Sequence, residues 1–532
     1  MSAHDPDMTG RNESVVLSRT CKWLFAPVFL FLLCFFLFIA RHRIVNGDEG
    51  WYLLASRLVL RHKAPYLDFF YTQAPLLPYA YGFLMKLFGI SWLSARGFSA
   101  VLTTILGLLI YEHVCHETRR WAAGLVAVVL YVSCTYIFGW FPIVKTYALA
   151  ALLLFAAYAM VSRLRPASPP WLVAVAGLLF GLSVDTRSYV AGLAPVFLWW
   201  IFRSSETSNR TARILWFLGG FTIGLGPSLY LLAASPDRFL FDNFGYHAIR
   251  SNTGLFGVWR QKVRVARLIL FGTSYNGFQF YYGFQFGFLS AMSFVAILVG
   301  RMGSGAALLA LLIAFILGFI SLLPNPSLTH YFCLCVPFLI VAAVCPASAY
   351  AAALRGVWPK RMAALALAAL LAAFVAAALP GFRWYLGAGN NTGLVEVPDT
   401  RQAPNWTLGR VYAVSQATDE LAAPDEEIAS FWSGYIFASK ARPLPGFENP
   451  YGRMLVADKL TVEQRAKYHI LADSDIVAGF EAHRPRIVVI GKQDVYVHNI
   501  QSSEYVRILR SNGYAVVRVI GDTSIFVCCS EQ

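Results

Sequence analysis

Long blocks of apolar residues follow one another through the first 380 positions of the chain, with short polar connections between them. A helix needs roughly 20 such residues to cross the hydrocarbon core of a bilayer, and eleven segments come near that length. We therefore predict eleven membrane spans, at Trp23–Ala40, Leu93–Val114, Trp121–Trp140, Ile143–Val161, Trp171–Val184, Tyr189–Phe202, Ile214–Ala234, Tyr282–Gly300, Ala306–Leu323, Tyr331–Tyr350 and Met362–Leu379.

The composition agrees with a membrane protein. Charged residues make up only 14% of the chain and hydrophobic residues 57%, whereas soluble proteins average about 25% and 45–50%. This balance excludes a soluble globular enzyme, a disordered chain and a fibrous repeat. The nine cysteines include no Cys-x-x-Cys pair, so neither a disulfide framework nor a zinc ribbon is indicated. The predicted fold class is a polytopic α-helical membrane protein with about eleven transmembrane helices.

The basic residues orient the spans, because cytoplasmic connections carry an excess of Lys and Arg. With the N-terminal tail (residues 1–22) inside, every inner connection of the transmembrane domain (23–380) is short and basic. These connections contain Arg119, Arg120, Arg163, Arg165, Arg203, Arg210, Arg213, Arg301, Arg355, Lys360 and Arg361. The outer face then carries two long loops, 41–92 and 235–281. Within the first loop, the short apolar segment Pro75–Gly89 is predicted to form an interfacial hairpin.

The last part of the chain, residues 381–532, has a different character. It contains 15 basic and 17 acidic residues, against 29 and 12 in residues 1–380. The net charge of +15 therefore belongs to the membrane region, and nucleic acid is not predicted as a partner. Apolar runs predict strands at Ile428–Trp432, Arg486–Gly491, Tyr514–Ile520 and Ser524–Cys528, the last two forming a hairpin. We predict a small α/β domain on the extracytoplasmic side.

An acidic pair, Asp48-Glu49, follows the first span, after an Asn46-Gly47 turn and before a helical stretch. Carboxylates at the start of a helix can act as caps and interact favourably with its dipole. They can also be functional here, because acidic residues are scarce in the first 380 positions and this loop is otherwise rich in Arg, aromatic residues and Pro. Capping and catalysis both remain open for this pair.

Several motifs of the first outer loop form a set with the acidic pair. They are Asp48-Glu49-Gly50-Trp51-Tyr52, Tyr66-Leu67-Asp68, Gln73-Ala74-Pro75-Leu76-Leu77-Pro78-Tyr79 and Leu87-Phe88-Gly89. With the span order, the segment Gly181–Arg187 and the external C-terminal domain, this set resembles the GT-C superfamily of membrane glycosyltransferases. Within it, the resemblance is to the protein O-mannosyltransferase and aminoarabinose-transferase-like group, which depends on dolichyl- or undecaprenyl-phosphate sugars.

The resemblance implies an enzyme that moves a sugar from a polyprenyl phosphate to a hydroxyl of a protein, glycolipid or glycan outside the cytoplasm. It implies that Asp48 matches the catalytic acidic position and Glu49 its neighbour, and it suggests a bacterial inner membrane. The chain departs from the group in one respect. An acidic residue is often found near the outer end of the third or fourth span, and this chain has Lys145 there.

General chemistry leads to the same kind of enzyme. Nucleotide sugars and ATP are normally absent outside the cytoplasm, and the chain has no Walker A or Rossmann fingerprint, so a donor must arrive through the lipid. Its transfer requires a base for the acceptor hydroxyl, worth about 10²–10⁴-fold, and preorganised cations for the departing phosphate. We predict Asp48 as the base, with Glu49 orienting or coordinating it.

Four basic residues are candidates for binding the donor phosphate. His247 and Arg250 are three residues apart and share a face if helical, and a guanidinium fork suits phosphate; contact with lipid headgroups is their alternative. Arg187 could contact the phosphate or pair with Asp185. Lys145 could contact the phosphate or extend toward the interface as a snorkelling lysine.

Four further residues are predicted to line the substrate site: Tyr52 and Asp68 in the first outer loop, and His330 and Tyr331 where the tenth span begins. An interfacial anchor is the alternative for Tyr331. Asp48 with His247 could also hold a divalent metal, because carboxylate and imidazole are workable ligands. No other cofactor is indicated.

Two other functions compete with a transferase: a secondary transporter, and a non-catalytic membrane scaffold whose tail binds a partner. Transporters place ionisable residues within their spans near the midplane of the membrane. In this chain the middles of the spans are nearly free of charge, and the acidic residues cluster at the outer boundary. The pattern therefore favours the transferase, with the polyprenyl-phosphate sugar, its acceptor and membrane lipids as partners.

Overall fold

The structure is a computed structural model that describes residues 22–251, 254–272, 274–275, 278–279, 282–299, 304–386, 406–491 and 502–528. Residues 1–21 of the predicted N-terminal tail and the predicted inner residue Arg301 lie outside this range. The described chain consists of a helical part that ends with the helix Leu379–Tyr385, and a mixed α/β part from Trp406 onward.

Each predicted span corresponds to one helix or to two consecutive helices. The α-helices of this part are Phe25–His42, Gly47–Leu60, Leu76–Phe88, Trp92–Thr118, Trp121–Ser133, Thr135–Trp140, Thr146–Ser162, Pro170–Thr186, Ala194–Arg203, Arg210–Gly224, Gly226–Ala234, Pro236–Leu240, Tyr246–Ile249, Leu255–Phe271, Tyr282–Val299, Gly305–Leu322, Val336–Ala353, Val357–Ala376 and Leu379–Tyr385. In the described residues, five helices are long and apolar enough to cross a membrane, or six if one bent pair is a single span. The predicted multi-pass fold class is confirmed.

Several spans are interrupted, and the interruptions have local causes. The helix that ends at Gly224 and the helix Gly226–Ala234 are bent by 59°, because Pro227 lacks a backbone N–H and clashes with the preceding turn. The chain is irregular between Trp140 and Thr146, and after Thr186 it continues as a 3-10 helix, Ser188–Leu193. The irregular segment after Trp140 and the break after Thr186 lie at the same end of the bundle. This end carries the long loops and contacts the C-terminal part, and we call it the loop face.

The first long loop folds into two helices on the loop face. Gly47–Leu60 begins with a capping box, in which the Asn46 side chain accepts from the Asp48 N–H and the Glu49 carboxylate accepts from the Asn46 N–H. The predicted hairpin at Pro75–Gly89 is wrong, since Leu76–Phe88 is one helix. Its proline, Pro78, is tolerated because it lies in the first turn, where a backbone N–H has no helical partner.

The C-terminal part contains a five-stranded mixed sheet. Its strands are Glu427–Ser430, Arg442–Pro443, Ile487–Gly491, Tyr514–Ile520 and Thr523–Cys528. The order is Arg442–Pro443, Glu427–Ser430, Ile487–Gly491, Thr523–Cys528, Tyr514–Ile520. The predicted hairpin is confirmed as an antiparallel pair of the last two strands, and the two-residue strand Arg442–Pro443 was not predicted. Helices on this part are Leu408–Leu421, Gly434–Phe437, Pro450–Val456, Val462–Lys467, Asp473–Glu481 and Ser502–Ser511.

The C-terminal part packs directly on the helix Gly47–Leu60. Arg57 is buried and donates to the carbonyls of Ile436, at 2.6 Å, and Ala441, at 2.8 Å. Gly50 is needed for this close approach, because a Cβ there would lie 2.6 Å from the backbone nitrogen of Gly434. The helix that begins with the acidic pair is therefore held on one side by the bundle and on the other by the C-terminal part.

Candidate active site

A cavity of about 340 Å³ opens on the loop face, between the bundle, the two long loops and the C-terminal part. Eight of the predicted site residues line it: Asp48, Tyr52, Lys145, Arg187, His247, Arg250, His330 and Tyr331. The cavity is also lined by Trp51, Thr72, Gln73, Tyr147, Tyr246, Pro326, Leu328, Tyr451 and Leu455. Residues as far apart in the chain as Asp48 and Leu455 thus meet at one place.

Asp48 is held by three donors at the start of its helix. The Lys145 ammonium lies 2.8 Å from Oδ2, the Tyr451 hydroxyl donates to Oδ1, and the Trp51 indole N–H lies 3.5 Å from Oδ1. Burial raises the pKa of Asp48, but the charge of Lys145 and these hydrogen bonds outweigh burial and hold the pKa below its usual 3.8. Asp48 is therefore an ionised carboxylate at neutral pH and can accept a proton.

Lys145 owes its position to the irregular segment before the helix Thr146–Ser162. It is the N-cap residue of that helix, and its side chain is only 2% exposed. Besides pairing with Asp48, its ammonium lies 4.5 Å from the centroid of the Trp140 ring. Lys145 therefore points into the protein toward the cavity, which argues against the snorkelling alternative.

Arg187 is a buried guanidinium held by aromatic rings. Its Cζ lies 4.4 Å from the ring centroid of Tyr147 and 4.6 Å from that of Tyr189, and Nη1 donates to the Thr146 hydroxyl at 2.6 Å. Nε is buried and has no hydrogen-bond partner. Arg187 does not pair with Asp185, which instead accepts from the Ser228 N–H at 3.1 Å. A buried guanidinium with an unused donor is suited to an anionic ligand.

The second long loop places Arg250 and His247 at the cavity. Arg250 donates through Nε to the carbonyl of Asn325 at 2.9 Å, and its Cζ lies 5.8 Å from the ring centroid of Tyr246. His247 Nε2 lies 3.1 Å from the Thr72 carbonyl. Burial, followed by the charge of Arg250, lowers the pKa of His247 to about 4, so that the imidazole is neutral at pH 7.

A π-helical turn, Phe241–Gly245, lies in the second long loop just before His247 and Arg250. Its buried Asp242 accepts from the backbone N–H of Tyr71 at 3.0 Å and thereby joins the second long loop to the first, next to Thr72 and Gln73. Burial raises the pKa of Asp242 well above its usual value. Single π-helical turns often occur at functional sites, and this one precedes both His247 and Arg250.

The charges that line the cavity do not cancel. Lys145, Arg187 and Arg250 contribute three cations, whereas Asp48 is the one carboxylate among the described lining residues. Neither Arg187 nor Arg250 forms an ion pair with a described residue. Placing cations in a partly dehydrated cavity is costly unless they are compensated, so this arrangement favours an anionic ligand that supplies the missing negative charge.

Glu49 lies on the other side of the helix, outside the cavity. It is fully buried and forms a bidentate ion pair with Arg96, with Oε1–Nη2 at 2.6 Å and Oε2–Nε at 2.8 Å. The backbone N–H groups of Asn46 and Val144 also donate to it. All four interactions are with protein groups, so Glu49 can position the Asp48 helix but does not face a substrate in this structure.

Asp68 also lies outside the cavity. Its Oδ2 accepts from the Ala64 N–H at 2.7 Å, and Oδ1 lies 3.6 Å from the Lys63 ammonium. The side chain is 36% exposed. Asp68 closes a turn of the first loop, because its backbone N–H also donates to the Ala64 carbonyl, and the structure does not place it against a substrate.

The side chains that could bind a metal do not form a metal site in the part of the chain that the structure describes. No group of three His, Cys, Asp or Glu residues comes together there. Asp48 is bound by Lys145, Tyr451 and Trp51, and the Nε2 of His247 faces a carbonyl.

Sequence reasoning missed two residues of this region. Tyr451 lies in the C-terminal part, 403 positions after its partner Asp48, and no pattern in the sequence links the two residues. Arg96 had a detectable signal, because an arginine just inside an apolar span requires a buried partner, and Glu49 was an available carboxylate. The structure supplies both partners directly.

Solved structures show which fold this is. The chain superposes on ArnT from Cupriavidus metallidurans bound to undecaprenyl phosphate with a TM-score of 0.62, over 95% of this chain and 98% of that chain, at 13% sequence identity. The apo state of the same protein gives a TM-score of 0.63 over 96% and 98% of the two chains, also at 13% identity. The chain thus has the fold of an integral multi-pass membrane protein of this kind, including the C-terminal part.

A family comparison adds sequence evidence. Residues 72–229 match the family described as dolichyl-phosphate-mannose-protein mannosyltransferase. No curated protein sequence matches the chain. The family match over this segment and the fold together confirm the predicted resemblance to the mannosyltransferase and aminoarabinose-transferase-like group.

Proposed function

We propose that the protein transfers a sugar from a polyprenyl-phosphate donor to an acceptor hydroxyl, and that the cavity around Asp48 is where this happens. The observation that carries the proposal is that one ionised carboxylate and three cations, two of them buried, share a single cavity. A base and an anion-binding group are the two parts that such a transfer needs.

The cations would hold the donor phosphate. Arg187 offers an unused buried Nε–H, and Arg250 lies across the same cavity. Guanidinium groups bind phosphate through parallel N–H donors. As the bond between the sugar and the phosphate breaks, the phosphate oxygen keeps the electron pair, and these positive charges stabilise the negative charge that develops.

The isoprenoid chain would lie in an apolar crevice of about 310 Å³ beside the site. This crevice is lined by Ile269, Leu270, Phe286, Phe294, Phe315, Phe319, Leu322, Phe332 and Leu339, among others. The segment 326–332 connects the two spaces, because Leu328 and Tyr331 line the cavity whereas Phe332 lines the crevice. A donor with a charged head and an apolar tail matches this pair of adjacent spaces.

Asp48 would act as the general base. Its carboxylate takes the proton of the acceptor hydroxyl, whose oxygen attacks the anomeric carbon while the phosphate leaves. Protonation of Asp48 weakens its ion pair with Lys145, and the Lys145 ammonium can then turn toward the departing phosphate. In this scheme His247 stays neutral and orients the first loop through the Thr72 carbonyl.

We also propose that the loop face is extracytoplasmic. The basic connections on the opposite side support this orientation, and so does the absence of a nucleotide-binding motif. The ArnT structure holds undecaprenyl phosphate, and by analogy we propose a donor of that lipid class and a bacterial inner membrane for this chain. The acceptor can be a glycolipid, a glycan or a protein.

A donor test checks the proposal without knowledge of the acceptor. Purified wild-type protein and Asp48→Asn are incubated with a panel of radiolabelled polyprenyl-phosphate sugars and membrane extract, and the release of polyprenyl phosphate is measured. We expect at least one donor to be consumed by wild type and not by the variant. If no donor is consumed although both proteins are folded, the transferase is contradicted and a transporter or scaffold becomes the better explanation.

A further inference from the structure

We infer that Tyr451, supplied by the C-terminal part, is a positioning residue for Asp48, and that the active site is incomplete without this part of the chain. The inference rests on the proposed function, because it concerns how the proposed base is held. Its physical basis is the hydrogen bond from the Tyr451 hydroxyl to Asp48 Oδ1 together with the position of Tyr451 in the cavity wall.

The Tyr451 side chain is fixed before it reaches Asp48. It lies in the first turn of the helix Pro450–Val456, whose N-cap Asn449 accepts from the Tyr451 N–H at 3.0 Å. The Tyr451 ring packs edge-on against Trp51, with the ring centroids 6.2 Å apart and an angle of 87° between the planes. Since Trp51 also reaches Asp48 Oδ1, Tyr451 and Trp51 form one unit around that oxygen.

The segment that follows Tyr451 is anchored to both long loops. The ring of Tyr468 stacks on Phe241 with centroids 3.7 Å apart, and His469 Nε2 lies 2.8 Å from the Leu67 carbonyl. Phe70 and Tyr246 from the two loops pack with Val456, Ala457, Ile470 and Ala472 in one buried cluster. These contacts hold residues 450–472 over the cavity, so Tyr451 is not an incidental surface contact.

The three donors leave Asp48 little freedom to rotate. Lys145 binds Oδ2 from the bundle side, while Tyr451 and Trp51 bind Oδ1. Without the Tyr451 hydroxyl, the ion pair with Lys145 could draw the carboxylate toward the bundle and away from an acceptor. Misplacing a catalytic group by about 1 Å can cost on the order of 100-fold in rate, so the hydroxyl should affect turnover more than donor binding.

The test compares Tyr451→Phe with Tyr468→Phe in the full-length protein. Both changes remove one hydroxyl from the same part of the chain and keep the ring, but Tyr468 does not line the cavity. With the donor that wild type consumes, we expect Tyr451→Phe to lower kcat by about 10- to 100-fold with the KM for the donor within about twofold of wild type. Tyr468→Phe should match wild type in both constants.

The outcomes separate this inference from the proposed function. An active wild type together with an unchanged kcat in Tyr451→Phe would overturn the inference alone. An equal loss of kcat in Tyr468→Phe would show that Tyr451 only docks the C-terminal part. The same conclusion would follow if Tyr451→Phe raised the donor KM and lowered the unfolding temperature without a specific loss of kcat. If wild type consumes no donor, the proposed function and this inference fail together.

Discussion

Two neighbouring carboxylates of one helical turn end in very different surroundings. Glu49 and Arg96 form an ion pair whose hydrogen bonds all go to protein groups. Besides binding Glu49, Arg96 donates to the carbonyls of Ala40, Arg43 and Ile44. Around Asp48, the lining cations outnumber the carboxylate and Arg187 keeps an unused donor. A charged cluster whose hydrogen bonds all go to protein groups stabilises the fold, whereas a cluster with a net positive charge can bind an anion.

The difference between Asp48 and Glu49 can be tested by removing the charge of each side chain separately. Asp48→Asn keeps the size of the side chain but cannot accept the proton, so we expect sugar transfer to fall by about 10²–10⁴-fold with the protein folded. Polyprenyl phosphate release measures this loss. Retention of full transfer by a folded Asp48→Asn variant, with every donor that wild type uses, would contradict the assigned base.

Glu49→Gln should instead affect stability. Removing one partner of a buried ion pair leaves the other charge uncompensated and costs about 3–5 kcal/mol, and here Arg96 would remain charged and fully buried. We expect a lower unfolding temperature in detergent, measured by intrinsic fluorescence, with Arg163→Gln as the control because its pair with Glu112 is partly exposed. Normal stability combined with lost transfer would reverse the roles assigned to Glu49 and Asp48.

Arg187 tests whether the surplus positive charge binds the donor. Arg187→Gln removes a charge-assisted interaction of about 1.5–3 kcal/mol, which corresponds to roughly 10- to 150-fold weaker binding of polyprenyl phosphate. Binding to protein in nanodiscs can be measured with a fluorescent analogue. Arg203→Gln, at an exposed position where the guanidinium lies over Trp199, should bind as wild type does; equal losses in both variants would indicate only nonspecific attraction.

The pH dependence of transfer tests the pairing of Asp48 with Lys145. Because the folded-state pKa of Asp48 is lowered, the base should stay ionised at neutral pH and become protonated only below its usual pKa of 3.8. In Lys145→Met, burial without the ammonium raises that pKa, so the acidic limb of kcat/KM should move to higher pH. An acidic limb at the same pH in both proteins would mean that Lys145 does not control the ionisation of the base.

Asp68 should give the smallest effect. It is partly exposed and its pair with Lys63 spans 3.6 Å, and exposed pairs contribute about 0–1 kcal/mol. We expect Asp68→Asn to change the free energy of unfolding by less than about 0.5 kcal/mol and to leave transfer unchanged. A large loss of transfer with normal stability would return Asp68 to the substrate site that the sequence predicted for it.

The sequence predicts the fold well because span length and hairpin patterns are local. The Tyr514–Ile520 and Thr523–Cys528 pair follows from alternating apolar residues around a short turn. The sequence also identifies eight of the seventeen cavity residues, including all four charged ones, since charged side chains at span ends are rare and therefore informative. Residue spacing alone does not distinguish the roles of Asp48 and Glu49, which the sequence assigns through the resemblance to the GT-C group. Neighbouring residues on a helix point about 100° apart, and only the packed bundle determines which one faces the cavity.

Long-range partners are the part that could not be predicted. No pattern in the sequence indicates that the Tyr451 hydroxyl reaches Asp48. Pro75 and Pro78 favour a turn until their places at the N-cap and in the first turn of the helix Leu76–Phe88 are known. Both errors concern contacts or positions that depend on the folded protein. The charged residues of the cavity were predictable, whereas its hydrogen bonds were not.

The most direct test of the central claim is an experimental structure of the wild-type protein in nanodiscs with polyprenyl phosphate. We predict that the phosphate lies within hydrogen-bond distance of the Arg187 and Arg250 guanidinium groups, with the isoprenoid chain in the crevice beside Phe332. A phosphate bound instead along the helix Leu255–Phe271, which carries Arg260, Lys262, Arg264 and Arg267, with the Asp48 cavity empty, would contradict the claim that this cavity is the donor site.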